Sequence, residues 1–541
     1  MSGTPNWQGE RAPRFDVAGV RGELHRLHDA CHIVADGDAV GAVSGGRETD
    51  EGGLELLASV PRFPSEMLGS ATFRDAHGVR LAYMAGAMAN GIASEELVVA
   101  MAEAGLLASF GAAGLAPDRI ASALNVFESK IPGRPFACNL IHSPAGAGLE
   151  RATVDLFLDR RVRLVEASAF LGLTAEVVRY RVAGLARDRD GGAVARNHVI
   201  AKVSRPETAE MFLRPAPREI LDTLAAEGRI GALQAELAGR VPLADDITVE
   251  ADSGGHTDRR PSTVVTAAVL RLRDRITREA GYPSAPRVGA AGGLGSPEGL
   301  AAAFAMGADY VVTGSVNQSC VEAGTSPEAK ELLTRAGVAD YAMAPAADMF
   351  EIGADVQVLR SGTMFPMRAS RLREYYRTYD GLEAIPAIEL SRLEKDVFRM
   401  SVDEVWRECL DYFGTRDPGL VDRATEDPKV KMALVFRWYL GMSTRWAVRG
   451  ETGRVRDYQV WCGPAMGAFN DWAKDSHLFP AENRTVVEVA EQLMHGAAYL
   501  FRLRHLGAAG AALATPLNDY RPAPLLSRPE ADPMRMKENP R

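Results

Sequence analysis

Between about residues 68 and 320, short apolar, β-prone runs alternate with stretches of helical periodicity. The pattern predicts strands at 81–85, 106–110, 136–141, 162–167, 198–203, 247–251, 287–291 and 310–313. Helices are predicted between them at 94–104, 117–127, 154–159, 174–185, 262–280 and 296–306. Such alternation implies a parallel sheet with crossover helices. Eight repeats over roughly 250 residues match the span of a (β/α)8 TIM barrel. A doubly wound open sheet is the competing architecture. The rhythm breaks at 340–480, where helical patterns dominate at 367–379, 387–398, 402–413, 430–440 and 467–472. A last amphipathic helix is predicted at 486–503 and is expected to pack on the barrel.

These patterns divide the chain into an N-terminal extension (1–60), a barrel (61–335), a mainly helical substrate or lid region (336–484), a C-terminal helix (485–520) and a flexible tail (521–541). The extension reads as a loose entry segment with one helix near 20–33. Its Gly- and Asp-rich run 36–53 reads as linker. Five of the six tryptophans fall in the helical region (Trp406, Trp438, Trp446, Trp461, Trp472). A second small aromatic core explains them as well as a cap over the barrel mouth does.

Composition narrows the function. Of 541 residues, 62 are Lys or Arg and 71 Asp or Glu, a formal charge of −9, which argues against a protein built to grip nucleic acid. Hydrophobic residues make up 46%, so the chain is globular, and no run approaches the length of a membrane span. The N-terminus lacks the apolar core of a secretory signal. The five cysteines are scattered with no CxxC pair, so neither a metal site nor a disulfide framework is expected, and a reduced cytoplasmic setting is the simplest reading.

Four constellations carry chemistry, each at a predicted strand end, where barrels of this kind place their sites. At the sixth, Glu250-Ala-Asp-Ser253-Gly254-Gly255-His256 holds a histidine after two glycines, suited to proton transfer near neutrality. The bland alternative is a loop histidine satisfied by carbonyls. The seventh ends in Gly289-Ala-Ala-Gly292-Gly293 and the eighth in Thr313-Gly314-Ser315. Paired glycine turns at these two positions favour a phosphate cradle of backbone amides over two unrelated tight turns. The run Gly293-Leu-Gly295-Ser-Pro-Glu-Gly299 has the wrong final spacing for a dinucleotide fingerprint. The first strand end, Met84-Ala85-Gly86-Ala87-Met88, offers small residues against which a flat ring can lie. Asn139 ends the third strand and Lys202 lies near the end of the fifth, where the alternative is a lysine reaching out to the surface. Cradle, platform, lysine, asparagine and histidine together form the layout that a bound flavin mononucleotide (FMN) needs.

At these residues the sequence resembles the PfaD family, the free-standing enoyl reductases of polyunsaturated fatty acid and trans-acyltransferase polyketide assembly lines. That family is similar to FMN-dependent barrels such as the nitronate monooxygenases and the flavin-type bacterial enoyl-ACP reductase. The motifs are MAGAMANGIAS (84–94), EADSGGHTDRRP (250–261), GAAGGLGSPEGLAAAFAMGADYVVTGSVNQS (289–319), QVLRSGTMFPMRASRLREYY (357–376) and YQVWCGPAMGAFNDW (458–472). The last two blocks point to PfaD within the wider superfamily. The resemblance spans roughly 60–505 and implies that NADPH reduces FMN, which reduces the α,β-double bond of an enoyl thioester on an acyl carrier protein of a polyketide or fatty acid synthase. It implies His256 as donor to the thioester oxygen or acid for the α-carbon, a ping-pong order, and a plausible homodimer. Arg368, Arg371, Arg373 and Arg377 form a basic stripe fit for an acidic carrier protein, with a solvated helix face as the alternative. The runner-up activity is a nitronate monooxygenase-like flavin oxidase acting on a small molecule. A flavin-free phosphate-binding barrel and a non-catalytic scaffold are weaker alternatives.

Overall fold

A computed structural model describes residues 5–142, 147–414 and 417–523. Eight parallel strands close into a barrel in sequence order: β1 Tyr83–Ala85, β2 Leu107–Phe110, β3 Ala137–Ile141, β4 Leu164–Ser168, β5 His198–Val203, β6 Asp246–Glu250, β7 Arg287–Ala291 and β8 Tyr310–Thr313. Closure between β8 and β1 runs through Val311↔Tyr83, Val312↔Met84 and Thr313↔Ala85. Hydroxyl caps or an early proline start most crossover helices. Ser94 accepts from Leu97 N, and Thr174 from Val177 N. Pro117 and Pro297 occupy the first turns of theirs, where a missing N–H costs nothing.

The bottom of the barrel is filled. Helix Ala71–His77 plugs it, with Phe73 stacked on Tyr310 at 4.2 Å. Gly289 makes room for that tyrosine, since a Cβ there would lie 2.5 Å from its ring. Below, His77 Nε2 meets Asp246 Oδ2 at 3.0 Å, and Arg287 also pairs with Asp246. Packing at this end leaves the strand C-termini as the open end, as the barrel rule requires.

Residues 5–60 depart from expectation. They form a five-stranded antiparallel sheet (Asn6–Gln8, Cys31–Asp36, Ala39–Ser44, Arg47–Thr49, Leu54–Val60) with helix Val17–Leu24. The Gly- and Asp-rich run is not linker. Gly37 takes φ +59° in a two-residue turn that pairs Asp36 with Ala39. Helix Val486–Ala508 packs on Pro297–Ala305, where Gly496 lies against Pro297 and Tyr520. Its buried Arg502 donates to the carbonyls of Leu24, Arg26, Leu27 and Asp29 and so ties the N-terminal sheet down. Tyr520, the last residue of the segment expected to pack, is buried and its hydroxyl donates to Gln492, while Arg521, the first residue of the predicted tail, donates to the carbonyls of Asp471 and Trp472. The rest of the predicted tail, from 524, lies outside the described residues.

After β8 and helices Ser315–Gln318 and Pro327–Thr334, the chain adds two strands that periodicity missed, β9 Tyr341–Pro345 and β10 Asp355–Leu359. Helices follow at Phe365–Thr378, Ala387–Arg392, Val402–Gly414, Pro418–Glu426, Pro428–Arg449 and Ala465–Ala473. Their core is held by the fully buried Asp457, which meets Arg368, Arg454 and the hydroxyl of Tyr439. Asp457→Ala is expected to lower unfolding free energy by about 3–5 kcal/mol, because it strands buried guanidinium groups. A urea midpoint that falls with an unchanged slope would report it. The basic stripe is therefore partly consumed. Arg368 is committed to Asp457, Arg373 to Asp355, and Arg371 to Glu374 and Glu389.

Candidate active site

The loop after β1 folds inward. Gly86 N donates to Thr313 O at 2.9 Å, and a Cβ on Gly86 would lie 2.7 Å from Val312. Ala87 N donates to Glu166 Oε2 at 2.8 Å. Glu166, at 0% exposure on β4, is one of the residues that sequence reasoning missed. Its Oε1 has no hydrogen-bond partner, and Lys202 Nζ stands 3.7 Å away. Lys202 also lies 3.6 Å from Glu250 Oε1, so it sits between two carboxylates rather than at the surface. Burial would lower its pKa, but the two carboxylates raise it more and keep it charged. Burial pushes the Glu250 carboxyl up, only partly offset by Lys202. Asn139 Nδ2 donates to Glu166 O and Ser168 Oγ, both at 3.0 Å, which fixes its side chain at the rim.

After β6, Gly254 abuts Cys462, where a Cβ would come within 2.7 Å of its backbone. Gly255 takes φ +78°, a left-handed turn that suits glycine and that aims His256 at the mouth. His256 pairs with Val356 of β10, and Gly255 with Gln357. The Gln357 amide donates to Asp252 Oδ1 and Ser253 O. His256 Nε2 lies 3.1 Å from Asp348 Oδ1, a residue of the β9–β10 loop. Burial alone would lower the His256 pKa, but the Asp348 carboxylate raises it more. Burial in turn would raise Asp348, whose carboxyl the histidine holds below the usual range. Trp461 packs edge-on to the imidazole, with ring centroids 6.5 Å apart.

The glycine turns after β7 and β8 lie on the same rim. Gly292 and Gly293 take φ +80° and +72°, and a Cβ at Gly293 or Gly314 would meet nothing within 4 Å. Ser315 Oγ accepts from Gly463 N at 3.2 Å, so the chain returning from the helical region closes over this turn.

One cavity of about 560 Å³ joins these parts. Gly86, Ala87, Met88, Asn139, Lys202, Glu250, Ser253, Gly254, Gly255, His256, Gly292, Gly293, Gly314 and Ser315 all line it. Ala85 does not, because its side chain is buried in the barrel core. Trp461 lines it too, contributed from far along the chain.

A nitronate monooxygenase family model matches residues 74–360, more than half of the chain and the whole barrel with β9 and β10. The chain belongs to the nitronate monooxygenase family. Within it the chain is of the PfaD type. The N-terminal domain of fatty acid synthase subunit PfaD matches residues 7–61, and the inserted helical domain of [acyl-carrier-protein] S-malonyltransferase matches 379–458. A polyunsaturated fatty acid synthase subunit of Thraustochytrium sp. is 51% identical over 446 residues, 81% of this chain and 30% of that protein. Polyketide biosynthesis protein PksE of Bacillus subtilis is 43% identical, over 81% of this chain and 57% of that protein. The PfaD-type chain thus spans only part of these curated relatives. The crystal structure of the enoyl reductase domain of MlnA, from the macrolactin biosynthesis cluster of Bacillus amyloliquefaciens, has a TM-score of 0.78 and 38% identity. That match covers 82% of this chain and 99% of the other. Among the described residues, no helix is long and apolar enough to cross a membrane.

Proposed function

We propose that the protein is an FMN-dependent enoyl reductase that uses NADPH to reduce the α,β-double bond of enoyl thioesters carried by an acyl carrier protein during polyketide or polyunsaturated fatty acid synthesis. The observation that carries this reading is the likeness to the MlnA enoyl reductase domain over nearly all of that domain. The cavity supports it, because its residues fit FMN. Open space faces Gly293 and Gly314, where a phosphate needs close backbone approach. Lys202, held between the carboxylates of Glu166 and Glu250, presents a charged ammonium to the cavity, suited to an electron-rich ring. The volume suits a ligand of this size.

When bound, FMN supplies the redox chemistry, accepting a hydride from NADPH and passing one to the β-carbon of the acceptor. The chain's own residues bind, orient and protonate. Amides of the β7 and β8 turns would hold the phosphate. Gly86 and Ala87 would bring the backbone against the ring, and Lys202 would set positive charge beside it. His256 commits Nε2 to Asp348, so Nδ1 is the nitrogen left to face substrate. There it donates to the thioester oxygen, where negative charge develops, or gives its proton to the α-carbon.

Anaerobic addition of NADPH to the yellow protein is expected to bleach it, and an enoyl thioester on a carrier protein to restore the colour. A bleached protein that ignores the thioester but consumes oxygen on a nitroalkane would establish the flavin oxidase instead. Asp348→Asn tests the pairing. The raised His256 pKa keeps the imidazolium to higher pH, and activity that needs it falls as pH rises through that pKa. Without the carboxylate, burial and Lys202 depress the pKa, so the fall comes at lower pH. Proton NMR of the His256 ring across pH, beside the pH profile of thioester reduction, checks this. Two superimposable profiles would dismiss Asp348.

A further inference from the structure

Four cationic side chains line the cavity: Lys202, Arg205, His256 and Arg259. Three are spoken for. Lys202 sits between Glu166 and Glu250, Arg205 makes a two-pronged pair with Asp258 at 2.7 Å, and His256 is bonded to Asp348. Arg259 is exposed and has no carboxylate partner among the described residues. Its own backbone is pinned, since Arg259 N donates to Thr257 Oγ1 at 3.0 Å, and Thr257 Oγ1 donates to Ala251 O. The second half of the 250–261 motif is thus a rigid stalk carrying one uncommitted guanidinium.

Its position limits what it binds. The phosphate cradle lies at the β7 and β8 turns, and no lysine or arginine from those turns lines the cavity. Three chain steps hold the Arg259 Cα within about 10 Å of the His256 Cα. Arg259 lines the same cavity as His256 yet is exposed, so it stands on the solvent side of the site, where an incoming molecule trails its remote end. A free guanidinium recognises phosphate oxygens with paired N–H donors. Both molecules in the proposed reaction carry phosphate on that trailing side: NADPH in its pyrophosphate and 2′-phosphate, the carrier arm in its pantetheine 4′-phosphate. Resting on the enoyl reductase reading, we propose that Arg259 is a second phosphate site, separate from the glycine cradle, that holds the phosphate ester of the incoming substrate at the cavity mouth.

The test compares the FMN-loaded wild type with Arg259→Met and Arg259→Lys. Calorimetry reads binding of pantetheine 4′-phosphate against pantetheine, and of NADPH against NADH. Steady-state rates use crotonyl-pantetheine 4′-phosphate against crotonyl-pantetheine. Arg259→Met is expected to keep its flavin and its kcat, and to raise Kd and KM about 10-fold for the phosphorylated partner, with partial recovery in Arg259→Lys. Loss confined to the pantetheine phosphate identifies the carrier arm. Loss for NADPH alone identifies the 2′-phosphate, and equal loss for both dinucleotides the pyrophosphate. A methionine variant that binds every phosphorylated molecule as the wild type does overturns the proposal, whether or not the enzyme turns over. A wild type whose phosphate binding depends on Arg259, yet which reduces no enoyl thioester, keeps this site and removes the functional reading.

Discussion

Gly293→Asp is expected to purify without flavin. The residue sits at φ +72°, and the space its side chain would enter is empty of protein atoms. A new carboxylate therefore enters the proposed cradle, where it would face a phosphate that carries negative charge of its own. Two like charges about 4 Å apart at an intermediate dielectric repel by about 4 kcal/mol, so affinity should fall by at least 100-fold. The left-handed backbone adds a cost of about 1–2 kcal/mol for any side chain other than glycine, and that cost must be separated from the charge. Gly293→Asn carries the same strain without the charge. Gly314→Asp carries the charge without left-handed strain, because Gly314 lies at φ −132° and also faces open space. Both aspartates should lose the yellow colour, and the asparagine should keep most of it. The ratio of flavin to protein absorbance, followed by FMN titration of the stripped protein, reads this directly. A stoichiometrically yellow Gly314→Asp would remove the phosphate from this end of the barrel.

The barrel was legible because its strands are buried on both sides and read as short apolar runs between amphipathic helices. Each predicted strand overlaps an observed one, and 198–203, 287–291 and 310–313 match in full. The N-terminal sheet was misread for a local reason. Its turns are built from glycines at positive φ (Gly37, Gly45, Gly46), and their density resembled linker composition. The alternation in Leu54–Val60, with Leu56, Ala58 and Val60 buried, was the available signal. β9 and β10 were hidden differently. Each is a five-residue run inside a long helical region; they pair with each other, and β10 alone joins the rest of the site through Gly255–His256, some hundred residues earlier.

The site divides along the same line. Glycines, His256, Lys202 and Asn139 were legible because strand ends in a barrel converge, so position alone assigns them to one rim. Glu166 carried a signal that was passed over, a carboxylate in an apolar strand that the barrel then buries completely. Asp348 carried none. An aspartate in a loop between unrecognised strands becomes informative only when folding sets it 3.1 Å from a histidine 92 residues away. Ala85 is the one predicted site residue outside the cavity lining, since the strand's alternation turns its side chain into the core.

His256→Ala is expected to leave flavin content and bleaching by NADPH intact while slowing thioester reduction by ~10²-fold or more. The asymmetry follows from where the imidazole sits. It stands at the mouth against Trp461 and Asp348 and makes no hydrogen bond to the β7 and β8 glycine turns or to Lys202, so its removal takes no direct contact from the groups assigned to holding the cofactor. Transfer from NADPH needs no protein acid. Reduction of the acceptor does, because the thioester gains negative charge at oxygen and a proton at the α-carbon. Rapid mixing of the bleached variant with an enoyl thioester isolates that half-reaction. Asp348→Asn should fall between the variant and the wild type, since it alters the proton affinity of His256 without deleting the ring. The order matters more than either value: if Asp348→Asn is slower than His256→Ala, the aspartate acts on substrate directly and the histidine only supports it. If His256→Ala reduces the thioester at the wild-type rate, the proton comes from another group, and the 3.1 Å pair serves to join the helical region to the barrel.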